Sequence, residues 1–212
     1  MKVKMPRLIL MLALLILLFD SGLYFFISTD IPVHWNYAGK IDQYAPKWVL
    51  FGLGMLPLIF YYLIPFLQKI DPHAQKMKSG MKTYLLMRDL VVLLLIAMNL
   101  VTIVVIINQK IPAGVLIQVV IGLFMLGLGN YMPRLPRNYF VGFRTPWALS
   151  DEHTWYRTQR IGGMAFVASG FLLIAAGLFN QGWLNVICFL GMLGMVFGCC
   201  VYSWYIFASH HS

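Results

Sequence analysis

Few side chains in this chain can do chemistry, and their positions limit what they could do. Among 212 residues there are seven acids, five histidines and three cysteines. The sequence contains no His-Glu-x-x-His, no nucleophile–base pair at helical spacing and no group of acids inside an apolar run, so we expect no enzyme centre. Cys188, Cys199 and Cys200 all fall in the last apolar run. An odd number of thiols in lipid is no disulfide framework, and they lack metal spacing, so we read them as small packing residues. His34 and Asp42 could be imagined as a metal pair, but two ligands in one loop are weak support, and no metal or cofactor is expected.

Asp20 is the first polar residue that needs a reason. It sits about two-thirds of the way through an apolar run, where an ionised carboxyl costs on the order of 2.5–3.5 kcal/mol. A proton site or ligand contact would explain it. So would a paired carboxyl facing a helix bundle, with Asn99 or Gln118 as partner. Without a second intramembrane acid, we favour the paired reading. Arg88 and Asp89 begin another run, and Arg88 is expected to snorkel to the interface as a structural anchor.

Two polar stretches carry denser patterns. The first runs from Ile31 to Asp42. Pro32 should end the preceding helix, and Asn36 to Gly39 has turn chemistry. Trp35, Tyr37, Tyr44 and Trp48 suit an interfacial aromatic belt. Pro32, His34, Trp35, Asn36, Gly39 and Asp42 are the candidate ligand-binding residues of a docking surface facing outward. The second stretch runs from Pro133 to Arg160. Ser150 reads as an N-cap, with Asp151 and Glu152 in a first turn that favours acids, so a short helix is expected from Asp151 toward Arg160. Trp155 and Arg144 could lie along the lipid headgroups. Alternatively, this stretch is a partner site, with Asn138, Gly142, Arg144, Thr145, Pro146, Trp147, Trp155 and Arg160 as its candidates.

What must position these stretches follows from composition. Hydrophobic residues make up 60% of the chain and charged ones 11%, and the mean hydropathy is +0.77. Soluble domains carry about 25% charged residues, so the solvent here is lipid. A spanning helix needs roughly 20 apolar residues. Six runs qualify: Leu8 to Ile27, Trp48 to Leu67, Leu90 to Ile107, Ala113 to Asn130, Gly162 to Phe179, and Trp183 to Phe207. None alternates with period two, so a membrane β-barrel fits poorly. The expectation is an all-α integral membrane protein, a six-transmembrane-helix bundle. The first run follows a basic leader but lacks a small-residue cleavage pattern, so it reads as a retained helix. Gly194 with Gly198, and Gly122 with Gly127 and Gly129, read as helix contacts.

Lys and Arg between the runs divide thirteen to three between alternate faces. The rich face should be cytoplasmic, which puts both termini inside and the Ile31–Asp42 stretch outside. The net charge of +9 is then topological and meets anionic lipid. It is spread over short segments and forms no nucleic-acid motif, so no direct nucleic-acid binding is expected. We divide the chain into an N-terminal membrane region, 1–107, with outer loop 28–47, and a second membrane region, 108–212, with inner loop 131–161.

Asn138-Tyr139-Phe140-Val141-Gly142-Phe143-Arg144-Thr145-Pro146-Trp147, followed by Leu149-Ser150 and Trp155, resembles the signature of the SdpI family, bacterial multi-pass proteins named for an immunity factor against a secreted killing peptide. Pro32-x-His34-Trp35-Asn36-x-x-Gly39-x-x-Asp42 resembles the small domain of unknown function that precedes this signature in many members. Gln159 departs from the family pattern, where Asn or His is common. The resemblance implies residence in the bacterial cytoplasmic membrane and immunity to a toxin peptide. It also implies a signalling role in which a cytosolic repressor is held at the membrane, with Arg144, Thr145, Pro146 and Trp147 as the inner core. The rival expectation, from Asp20, is a small proton-coupled transporter or exporter, which would need homo-oligomers.

Overall fold

The computed structural model describes residues 7–28, 30–36, 41–74, 80–179 and 182–211. The order is α1 (Arg7–Leu23), a hairpin of β1 (Ile31–Trp35) and β2 (Ile41–Ala45), α2 (Val49–Ile70), α3 (Met81–Ile107), α4 (Ala113–Tyr131), a 3-10 turn (Met132–Arg134), a one-turn α5 (Pro146–Ser150), α6 (Glu152–Phe179) and α7 (Gly182–His211). α2, α3, α4 with its 3-10 turn, α6 and α7 are long and apolar enough to cross a membrane. This is a helical membrane protein, since lipid-exposed backbone must satisfy its own hydrogen bonds.

The first apolar run forms a shorter helix than expected. α1 has 17 residues and spans about 25 Å at 1.5 Å per residue. The chain turns after Leu23, with Phe25 N bonded to Gly22 O and Phe26 N to Leu23 O. Lys47 Nζ then donates to the Tyr24 and Ile27 carbonyls at 3.4 and 3.1 Å and lies 4.4 Å over the Tyr24 ring. The cation thus satisfies carbonyls of the turn that follows the helix, near the negative end of its dipole.

The 28–47 segment is a second correction, because the loop expected there holds an antiparallel β-hairpin. Ile31 pairs with Ala45, Pro32 with Tyr44, His34 with Gln43 and Trp35 with Ile41, with register irregularities around His34. Ile31 is fully buried with Ile27 and Leu50, while Trp35 and Ile41 pack against Val101, Val105 and Ala113. The hairpin therefore caps the ends of α2, α3 and α4 through its β-branched and aromatic side chains, which suit a pleated surface.

α3 packs against α1, α2, α4 and β1. It begins nine residues before the apolar run does, because Tyr84 and Met87 recur at helical spacing and bury with Ile64, Met132, Leu135 and Trp155. Arg88 is consequently inside the helix and fully buried rather than snorkelling. It pairs with Asp89, Nε to Oδ1 at 2.9 Å, and its guanidinium lies 4.2 Å over the Tyr61 ring of α2. A buried Arg is tolerable when paired and stacked in this way.

The α4–α6 contact rests on glycine. A Cβ on Gly122 would come 2.8 Å from Gly170 O, and one on Gly170 2.7 Å from Gly122 O. The same holds for Gly129 and Gly163, at 2.5 and 2.6 Å. Each helix offers two glycines seven residues apart, paired antiparallel, so the backbones meet directly. The expected contacts of Gly194 and Gly198 are absent, because a Cβ there meets nothing within 4 Å among the described residues. α7 instead turns Cys188, Cys199, Ser203 and Ile206 inward. The three cysteines are free.

Candidate functional site

The segment joining α4 to α6 is held by a dense set of side-chain-to-backbone hydrogen bonds. Asn138 is fully buried and organises it. Its Nδ2 donates to Pro136 O at 2.9 Å and Val141 O at 3.1 Å, and its Oδ1 accepts from the Phe140 and Val141 amides at 2.9 and 2.7 Å. All four groups are backbone, so one amide side chain replaces the secondary structure the loop lacks. Gly142 follows at φ 104°, a conformation L side chains avoid. Gln159, buried on α6, then reaches back to hold Phe143, with Phe143 N to Oε1 at 3.0 Å and Nε2 to Phe143 O at 2.9 Å.

The next residues start α5. Thr145 Oγ1 accepts from Ala148 N at 3.1 Å, a helix N-cap, and meets Ser203 Oγ of α7 at 2.5 Å. Pro146 takes the first helical position. Ser150 does not cap α6 as expected. Asp151 does, with Oδ2 accepting from Thr154 N at 2.7 Å and Thr154 Oγ1 at 2.6 Å. Burial pushes this carboxyl up, but the Thr154 hydrogen bonds and nearby His210 outweigh it and hold the group below the ordinary Asp value. α6 then runs unbroken from Glu152, so the separate surface helix merges into the membrane helix. Trp155 is not at the headgroups either. It is fully buried, and its indole donates to Leu135 O at 2.8 Å. A buried indole needs such an acceptor.

The eight predicted inner residues thus divide by role. Asn138, Thr145 and Trp155 are buried braces. Gly142, Arg144, Pro146 and Arg160 are exposed, and Trp147 is half-buried. Arg144 Nη1 donates to Tyr139 O at 2.8 Å, which ties this exposed cation to the loop backbone. Sequence reasoning missed Asp71, at the end of α2. It is buried and accepts from His73 N at 2.7 Å and Tyr139 N at 2.8 Å, while the His73 ring stacks on Tyr139 at 5.2 Å. A polar residue just past a helix end was the only signal for it.

On the opposite end, the hairpin brings His34 Nδ1 within 2.6 Å of Asp42 Oδ1, both exposed. Pro32 is buried, and Trp35 and Asn36 are half-buried. Gly39 lies outside the described residues. Beneath the hairpin is a cavity of about 130 Å³ whose lining includes Trp35, Met98, Asn99 and Thr102. Asn99 Nδ2 donates to Asp20 Oδ2 at 2.7 Å, so Asp20 meets the expected amide rather than Gln118. Both residues are buried, and Asp20 Oδ1, Asn99 Oδ1 and Trp35 Nε1 have no hydrogen-bond partner among the described residues. Gly54 makes room for the carboxyl, since a Cβ there would come 2.6 Å from Oδ2.

Comparison with known proteins finds two family models along the chain. Residues 134–203 match the model of the SdpI/YfhL protein family, and residues 8–67 match a domain of unknown function, DUF1648. The chain is similar to the Immunity protein SdpI of Bacillus subtilis (strain 168), with 25% identity over 165 residues, covering 78% of this chain and 77% of that protein. No solved structure matches the chain.

Proposed function

We propose that this chain, which belongs to the SdpI family, protects the cell that makes it from a secreted antimicrobial peptide by binding and without chemistry of its own. The observation that carries the reading is the similarity to a protein named as an immunity protein along more than three-quarters of both chains. The chain is a multi-pass membrane protein, and we place it in the bacterial cytoplasmic membrane. In this reading it crosses six times, with α1 as the additional span, and both termini are cytoplasmic. Region 1–107 presents the hairpin outside, and region 108–212 presents the α4–α6 segment inside.

The toxin peptide contacts the hairpin, where His34, Asp42 and Asn36 stand at the surface over Trp35. The inner face meets a cytosolic repressor through Arg144, Pro146, Trp147 and Arg160. Such coupling requires the peptide to favour one of two states of the bundle. Deleting the gene and challenging the cells with the producer's culture fluid tests the reading: sensitivity restored by the intact chain supports it, and unchanged survival removes it. Impermeant labelling of single cysteines at His34 and Arg144 on intact cells tests the threading, with label expected only at position 34.

The buried Asp20 carboxyl, with one oxygen unpartnered among the described residues and its partner Asn99 lining the cavity under the hairpin, favours one second reading, a proton-coupled transporter. Proton-driven flux in liposomes that Asp20→Asn abolishes would establish it in place of the first.

A further inference from the structure

Where α6 begins and α7 ends, three side chains converge that no role above uses together. Asp151, His153 and His210 each offer a ligand atom, and these atoms lie within 4.8 Å of one another. The His153 and His210 rings stack at 4.6 Å with planes 20° apart, and His210 Nδ1 is 3.8 Å from Asp151 Oδ2. We propose that Asp151, His153 and His210 form a binding site for a divalent transition-metal ion of the zinc type, which staples the end of α7 to the start of α6.

The chemistry of the set supports this. Two imidazoles and one carboxylate suit zinc, cobalt, nickel or copper rather than magnesium or calcium, which prefer all-oxygen shells. A tetrahedral ion with bonds of about 2.1 Å needs ligand atoms roughly 3.4 Å apart. Both rings are exposed, so rotation about their side-chain torsions closes the remaining gap. The carboxylate is already held in place, because Thr154 donates two hydrogen bonds to its Oδ2. His210 stands in the last turn of α7, where the helix dipole favours a cation. Three protein ligands leave one position for water or a fourth donor. His211 is one such donor: its ring meets His210 at 5.3 Å, and its Nδ1 donates to Phe207 O at 2.9 Å, which leaves Nε2 to coordinate.

The position gives the ion a structural consequence. Asp151 closes α5, and Thr145 at the start of α5 already touches Ser203 of α7. Metal at this point adds a second tie between the Arg144–Trp147 segment and the last helix, 57 residues on from His153 along the chain.

Zinc titration of the full-length protein in detergent, after chelator treatment and against a competing chromogenic chelator, tests the site. One ion per chain is expected, with a dissociation constant below about 1 µM. His153→Ala and His210→Ala should each weaken binding by roughly tenfold or more. Both rings are exposed, so the variants should keep wild-type helicity and elution volume, which are checked alongside. X-ray absorption of the zinc-loaded protein should report mixed nitrogen and oxygen ligands including imidazole. Binding weaker than about 1 µM, or binding that neither histidine substitution weakens, overturns the site and identifies the cluster as a surface contact between rings.

Discussion

Gln159 grips Phe143 on both sides of a single residue, accepting from its amide at 3.0 Å and donating to its carbonyl at 2.9 Å. One α6 side chain thereby fixes the backbone of the segment that joins α4 to α6. Gln159→Leu removes both partners and leaves a backbone donor and acceptor unpaired in a partly buried site, at a cost of about 1–3 kcal/mol. Titration with denaturing detergent should show earlier unfolding. An unchanged midpoint would mean that water replaces the amide and that Gln159 is not a brace.

Gly142 is coupled to that grip. A Cβ at this residue meets Gln159 Oε1 at 2.7 Å, and φ is already positive. Gly142→Ala therefore pays for both a strained backbone, about 1–2 kcal/mol, and displacement of the Gln159 amide. In combination with Gln159→Ala the second cost disappears, so the double variant should be less destabilised than the sum of the singles. Unfolding midpoints of the four proteins measure the coupling, and strict additivity would contradict it.

Asp20 and Asn99 share one hydrogen bond, while an oxygen on each has no partner among the described residues. An Asn at position 20 could accept from Asn99 Nδ2 and donate to Asn99 Oδ1, so two amides would pair reciprocally. Asp20→Asn should thus be as stable as the parent or more so, while Asp20→Ala strands the Asn99 amide and should lose about 1–3 kcal/mol. Full protection of cells by the Asn variant would separate immunity from any proton step. Loss of protection with stability retained would instead assign Asp20 a direct role.

How far residues alone could lead is visible in these same places. The apolar runs were legible because bilayer thickness imposes their length. Their ends were not: Met81 to Asp89 mixes Lys, Arg and Asp with apolar residues, and only the core made by Ile64, Leu135 and Trp155 draws that stretch into α3. The hairpin was missed because each strand has five residues and Pro32 and His34 interrupt the alternation. Trp155 looked interfacial because its burial depends on a carbonyl twenty residues away. Gly122 and Gly129 of the fourth run read as helix contacts and do meet Gly170 and Gly163, whereas the sixth-run glycines have the motif without a neighbour among the described residues.

That contrast makes a prediction of its own. A Cβ on Gly122 or on Gly170 would come closer to the other's carbonyl oxygen than real Cβ atoms do, and the same holds for Gly129 and Gly163. Gly170→Ala forces α4 and α6 apart along their whole contact, because the obstruction is backbone and has no rotamer to escape into. Overpacking of this kind costs about 1–3 kcal/mol, and a larger residue such as Leu should prevent folding. Gly194→Ala and Gly198→Ala meet no atom within 4 Å and replace a poor helix former with a good one, which should be neutral or stabilising by up to about 1 kcal/mol. Comparing the alanine variants by thermal unfolding in one detergent tests the packing directly. If Gly170→Ala were harmless, the glycine pairs could not set the α4–α6 distance. If Gly194→Ala and Gly198→Ala were the damaging pair, α7 would have to pack through that face against another copy of the chain.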